Sequence, residues 1–337
     1  MKIIVDKDIP FIMGRFPEGV TVEYLRGDEI DIRSLRGAGA LIVRTRTKCN
    51  EHLLKGSEVR LIATATIGKD HIDEEWCEKN GIVVRNAPGC NAPGVAQYLF
   101  SSLFQTGFDP KKDVLGIIGY GKVGRQVAEW AKTLGIKSLV SDILREEAGY
   151  RDTDYRGLEE VLRNSDAVTL HVPLTFSGDK VKYPTYRMIG EKELGMMKTG
   201  ALLVNSSRGG VVDESALKAS LLTGRVRGVV DVWEKEPDID SELLSLVEIG
   251  TPHIAGYSYE GKKRATLMVL KALEEELGIK CDISGLECKT DREKELSANL
   301  ITQSYDPSRD YEALKRNVKG FESLRNEYKY RHEPFFI

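Results

Sequence analysis

Arg208 follows the apolar run Ala201–Asn205, Glu236 precedes Pro237 soon after Asp231 and Val232, and His253 follows a run ending at Ile249. Together these three types could hold a 2-hydroxy acid and take its hydroxyl proton while a hydride leaves C2 for a nicotinamide. A planar guanidinium holds the substrate carboxylate through two parallel hydrogen bonds, which a lysine cannot reproduce. An imidazole titrates near neutrality and can accept the hydroxyl proton. A carboxylate orients that imidazole and favours its charged form. Each residue also has an ordinary reading. His253 after Thr-Pro could cap a helix or sit in a core, Glu236 beside Lys235 and Asp238 could be surface charge, and Arg208 could bind backbone carbonyls or a phosphate. What favours the catalytic reading is their combination with a dinucleotide-binding pattern. His71 and His171 are read as structural, with His171 lining the site without reacting.

That pattern runs from Val114 to Asp142. An apolar run enters Gly119-Tyr120-Gly121-Lys122-Val123-Gly124, a helix-spaced series follows (Val123, Val127, Ala128, Ala131, Leu134), and Gly135 stops it. A second strand, Ser138 to Ser141, ends at Asp142. Gly119 permits a tight turn, Gly121 lets backbone approach a pyrophosphate, and Gly124 lets helix and strand pack closely. The helix N-terminus offers unpaired N–H groups to the phosphates. Asp142 lies roughly 20 residues beyond the glycines, where it can accept from both adenosine ribose hydroxyls and would repel a 2′-phosphate. NAD is therefore expected over NADP.

Stepping outward, apolar runs alternate with helix-spaced segments along most of the chain, which predicts parallel sheets covered on both faces. Strands are expected at 2–6, 20–25, 40–43, 59–65 and 82–85, with a helix from Asp70 to Lys79. In open sheets of this kind ligands bind beyond the carboxyl ends of strands. Arg44-Thr45-Arg46-Thr47-Lys48 and Ala65-Thr66-Ile67-Gly68 lie there; the first could be a solvated loop or a phosphate site, and Arg44, which ends its strand, is the favoured contact. Pro93 to Thr106 is predicted as a helix apolar nearly all round, hence buried between domains or at a subunit contact. Long helices are also expected over Ser258 to Leu277 and about Tyr311 to Asn326. The apolar end Pro334-Phe335-Phe336-Ile337 reads as a pairing strand.

Composition narrows the partners. With 337 residues, two or three domains are expected. The net charge of −3 comes without a basic block, which gives no support for nucleic acid. No apolar run approaches the ~20 residues of a membrane span. Cys49, Cys77, Cys90, Cys281 and Cys288 form no CxxC pair and, with a strand and not a targeting segment at the N-terminus, read as reduced cytoplasmic thiols. No metal is expected.

GYGKVG with Asp142, HVPLT, LVNSSRGGVVD, DVWEKEP and TPHIAGY together resemble the NAD-dependent D-2-hydroxyacid dehydrogenase family over roughly residues 1–280. VRTRTKCNEHLL, TATIGKDHIDEEW, NAPGCNAPGVAQYLFSSL and HIAGYSYEGKKRAT are similar to a branch of that family that acts on a phosphorylated four-carbon hydroxy acid in the making of pyridoxal phosphate. The resemblance implies two doubly wound α/β domains with the site between them. A flavodoxin-like substrate domain would cover 1–93, completed by about 258–280, and a Rossmann NAD domain 94–257. A small α+β dimerisation segment would cover 281–337, shorter than that branch usually has, in a homodimer. Position by position it implies catalysis by Arg208, Glu236 and His253. It implies NAD contacts from Asp142, Thr175, Ser206, Ser207, Arg208, Asp231 and Gly256, and substrate contacts from Thr45, Thr66 and Tyr257. Sister enzymes for phosphoglycerate, glycerate or hydroxypyruvate share the catalytic triplet, and an NAD-sensing regulatory protein could share the fold.

Overall fold

The computed structural model describes residues 1–178, 181–288 and 295–336. The chain divides into two compact units, Met1–Asn91 with Tyr259–Thr290, and Ala92–Ser258 with Asp291–Ile337.

In the first unit β1 (Lys2–Asp6), β2 (Thr21–Leu25), β3 (Ala38–Val43), β4 (Leu61–Thr64) and β5 (Val83–Arg85) form one parallel sheet in the order β2-β1-β3-β4-β5, the flavodoxin-like order. Its central strands read as unbroken apolar runs because both faces are covered. Ile4, Leu41, Val43 and Ile62 face Leu53, Leu54 and Cys77 of two short helices. Ile3, Val5, Ala40, Ile42, Leu61 and Ala63 face Val269, Leu270 and Leu273 of the helix Tyr259–Leu277. The predicted helix from Asp70 begins only at Glu74. Asp73 caps it by accepting from Trp76 N, while the backbone on either side of Ile72 is pulled into a bridge with Cys49.

In the second unit β6 (Val114–Ile118), β7 (Lys137–Ser141), β8 (Ala167–Leu170), β9 (Ala201–Asn205), β10 (Val226–Val230) and β11 (Ile249–Gly250) run in the order β11-β10-β9-β8-β6-β7, all parallel. Beyond β7 a third outer strand survives only as a bridge between Val140 and Tyr155. The chain leaves β6 toward β7 on one side and returns to β8 on the other. This reversal makes the carboxyl ends of β6 and β8 the place where such sheets bind ligands.

The C-terminal segment belongs to this second unit. Ile301, Tyr305, Tyr311, Leu314 and Phe321 join Tyr98, Leu99 and Leu103 in one core. The helix Ala92–Gln105, expected to await another domain or subunit, is buried beside the helices Lys122–Thr133 and Ala298–Ser304 of its own unit. Its buried Gln97 donates to Ser304 Oγ and His332 O, both at 2.8 Å, so a polar side chain is satisfied inside an apolar helix. The helix expected over Tyr311–Asn326 is broken by Val318–Gly320, a short 3-10 turn between Pro307–Arg316 and Phe321–Asn326. The tail is not a strand. Pro334–Phe336 forms a 3-10 turn, and the Phe335 ring meets the edge of Trp130 at 6.0 Å; Ile337 lies outside the described residues.

Candidate active site

The glycine loop leaves β6 at Gly119, whose φ of +92° excludes most side chains and where a Cβ would stand 2.6 Å from His171 O. A Cβ on Gly124 would be 2.0 Å from Gly119 O, so that glycine is required by helix–turn packing. Gly121 differs: a Cβ there meets nothing within 4 Å. Its own fold does not need the glycine, which suits a position approached by a ligand. Lys122 is exposed at the N-terminus of the helix Lys122–Thr133, which has no side-chain cap, and Val123 packs on the core.

Asp142 ties this loop to the end of β7. Its Oδ2 accepts from Tyr120 N at 2.7 Å and its Oδ1 from Arg145 N at 3.1 Å. The carboxylate is therefore fixed beside the glycine loop and keeps further lone pairs for other donors. Asp142→Ala is expected to narrow the preference for NAD over NADP, read as the ratio of kcat/KM for the two. Equal use of NADP by the unaltered protein would remove this role.

Arg208 emerges from β9, buried along its whole length. Asn205 shapes the exit: its Oδ1 accepts from Ser207 N (3.1 Å) and Oγ (2.8 Å), and its Nδ2 donates to Arg208 O (3.1 Å). A Cβ on Gly209 would lie 1.9 Å from Trp233 O. Only glycine lets the loop that carries Arg208 after β9 touch the loop after β10. Arg208 Nη1 donates to Ser207 O at 2.8 Å. The Ser206 hydroxyl is buried with no hydrogen-bond partner among the described residues. An unmet buried hydroxyl here and the open space at Gly121 both fit these residues to a bound dinucleotide.

His253 is aimed by a buried carboxylate beneath it. Asp231, at the end of β10, accepts from Thr251 Oγ1 (2.7 Å), Ile254 N (2.7 Å) and Ala255 N (2.9 Å), while its carbonyl accepts from His253 N (2.8 Å). Burial pushes the Asp231 carboxyl above its ordinary range, against the pull of His253 and of these donors. His253 itself has φ +57°, a left-handed conformation rare outside glycine that the surrounding turn holds in place. Its Nδ1 lies 2.8 Å from Glu236 Oε2 and 3.1 Å from Oε1, and Trp233 N donates to Oε1 at 3.0 Å. Burial alone would raise the Glu236 carboxyl, but His253, the Trp233 amide and Arg325 outweigh it and hold it below its usual range. An ionised Glu236 fixes the tautomer with hydrogen on Nδ1, leaving Nε2 to exchange a proton.

Gly256 and Tyr257 follow in the same turn, and Arg331 grips it from the other side. The Arg331 guanidinium donates to the carbonyls of Ile254 (3.1 Å), Ala255, Tyr257 (3.2 Å) and Gly94 (3.1 Å), and to Gln97 Oε1 (3.0 Å). Arg325 Nε donates to Tyr257 OH at 3.2 Å. Sequence reasoning missed both arginines: they sit in a charged segment without motif or periodic signal. Thr175 exchanges two hydrogen bonds with Thr185, N to Oγ1 at 2.9 Å and 3.0 Å. His171 accompanies the loop as a half-buried, neutral ring: desolvation pushes it down to about 3, and its Nε2 meets Thr169 Oγ1 at 3.1 Å.

Arg44, Thr45 and Thr66 belong to the first unit. Thr66 Oγ1 donates to Gly68 O at 2.9 Å and meets Thr64 Oγ1, while Thr45 is exposed. Arg44, the expected phosphate contact, has protein partners of its own. Its Nε reaches the fully buried Asp6 at 3.2 Å and its Nη2 reaches Asp8 at 3.3 Å, so two carboxylates already answer its charge. The loop cation favoured for phosphate is first the counter-ion of a buried aspartate.

Residues 96–255 match the NAD binding domain of the D-isomer specific 2-hydroxyacid dehydrogenases. The chain is 43% identical to the erythronate-4-phosphate dehydrogenase of Bacteroides fragilis, covering 99% of this chain and 97% of that protein. Among solved structures it is similar to the 3-phosphoglycerate dehydrogenase of Entamoeba histolytica with bound NAD (TM-score 0.67, 25% identity, 86% of this chain and 99% of that one). It is also similar to the D-lactate dehydrogenase of Aquifex aeolicus with NAD and lactic acid (TM-score 0.64, 26% identity, 82% and 96%). Sequence and fold thus agree with the glycine loop, the acid after β7 and the residues after β9, β10 and β11: the chain belongs to the erythronate-4-phosphate dehydrogenase branch of the D-isomer specific 2-hydroxyacid dehydrogenase family, and it is an NAD-dependent dehydrogenase.

Proposed function

We propose that the protein oxidises 4-phospho-D-erythronate to 2-oxo-3-hydroxy-4-phosphobutanoate, a step toward pyridoxal 5′-phosphate, in the cytoplasm. NAD supplies the acceptor for the hydride that leaves C2. Arg208 holds the substrate carboxylate, and His253 takes the C2 hydroxyl proton on Nε2 as the carbonyl forms. Glu236 keeps Nδ1 protonated and stabilises the imidazolium that results. Ser206, Ser207, Thr175, Asp231 and Gly256 line the dinucleotide, and Thr45, Thr66 and Tyr257 meet the substrate. The observation that carries the reading is the bidentate approach of His253 Nδ1 to Glu236, at 2.8 and 3.1 Å, in a chain so similar to the Bacteroides enzyme.

A homodimer is part of the proposal on family likeness. Because the helix Ala92–Gln105 is already covered, its contact would lie elsewhere. A panel of D- and L-2-hydroxy acids with and without a terminal phosphate, followed by NADH formation, tests the activity. Better turnover of D-glycerate or unphosphorylated erythronate than of the phosphate ester would move the protein to a sister activity.

A further inference from the structure

Two arginines of the C-terminal segment reach the turn that carries His253, and they are used differently. Arg331 is buried and its guanidinium is committed to carbonyls and Gln97, as a structural arginine is. Among the described residues Arg325 makes one hydrogen bond, from Nε to Tyr257 OH, and it keeps 24% of its side chain exposed. It stands one helical turn from the buried Phe321, which anchors the helix Phe321–Asn326. Its Nη1 lies 3.8 Å from Glu236 Oε2, beyond hydrogen-bond length and on the oxygen that His253 Nδ1 approaches at 2.8 Å. The cation and the imidazole thus share one carboxylate oxygen.

Arg325 adds only its charge at 3.8 Å to Glu236, whose two oxygens His253 and the Trp233 amide already engage by hydrogen bonds. Holding a guanidinium largely out of water costs free energy unless an anion meets it. The substrate proposed above has anions at both ends. Arg208 holds one, and Arg44 is engaged by Asp6 and Asp8. We infer that Arg325, with the Tyr257 hydroxyl, binds the substrate's terminal phosphate and so selects phosphorylated over plain 2-hydroxy acids. The inference rests on the activity proposed above. It gives the C-terminal segment a direct part in substrate choice. A guanidinium suits the task because its planar fork meets two phosphate oxygens at once.

The test compares the unaltered enzyme with Arg325→Met and Arg325→Lys on 4-phospho-D-erythronate and on D-erythronate, with NADH affinity as the control for folding. The Met variant is expected to lose roughly 10- to 100-fold in kcat/KM on the phosphate ester, mainly through KM, and little on erythronate. The Lys variant should recover part of that loss. Equal losses on both substrates, or a moved pH profile of kcat at unchanged KM, would show that Arg325 acts on the Glu236–His253 pair and would overturn the inference. An unaltered enzyme without preference for the phosphate ester would instead refute the proposed activity. If the Met variant fails to bind NADH, the Lys variant decides: unchanged discrimination between the two substrates with a point charge in place of the fork overturns the inference.

Discussion

His253→Asn is expected to lower kcat by roughly 10²–10⁴-fold, the usual contribution of a positioned acid–base group, while NADH binds as before. Asn is close to the imidazole in size and can still donate to Glu236, so the turn held by Asp231 has no reason to collapse. It cannot accept the hydroxyl proton. The loss should therefore fall on kcat and be read from steady-state rates beside a fluorescence titration with NADH. Glu236→Gln separates orientation from charge. Glutamine keeps an acceptor for Nδ1, which lies 2.8 Å from Glu236, and removes the charge. The amide cannot stabilise the imidazolium that forms as the proton is taken, so kcat should fall with KM little changed. A His253 variant with near-normal kcat would end the assignment, and an unchanged kcat in Glu236→Gln would leave Glu236 a purely steric role.

Arg331→Met should be the most damaging change outside the reacting groups. The side chain is buried, and methionine fills much of its volume without its donors. The carbonyls of Gly94, Ile254, Ala255 and Tyr257 would then face each other in a dry site with the guanidinium gone. A buried acceptor left unmet costs about 1–3 kcal/mol, and these four are too close together to add fully. A loss on the order of 3–5 kcal/mol is expected, seen as a fall in Tm of about 10 °C. Because three of the four carbonyls lie in the turn after His253, kcat should fall as well. Arg331→Lys should not rescue, since one ammonium cannot serve acceptors spread around a plane. An unchanged Tm in the Met variant would show that the C-terminal segment is held by its apolar contacts alone.

By itself the sequence determined the parts whose signals are short in range. Unbroken apolar runs separated by helix-spaced segments specified parallel sheets, because strands buried on both faces need no polar alternation. Gly119, Gly121 and Gly124 specified a dinucleotide turn, because each answers a steric demand within a few residues. Arg208, Glu236 and His253 could be singled out as candidates because each follows a recognisable strand, and such sheets bind ligands at their carboxyl edge. Tertiary structure decided what those signals could not carry. Periodicity said that the helix Ala92–Gln105 is buried, but not by what; the cover proved to be the C-terminal segment, through contacts such as Arg331 to Gln97 across 234 residues. Arg44 looked like a loop cation until the fold set it against Asp6, 38 residues away, and Arg325 carried no signal at all until the fold set it beside Glu236. A charged residue has no local mark of its eventual partner: its energy depends on which opposite charge the folded chain brings within a few ångströms, and only the whole packing determines that.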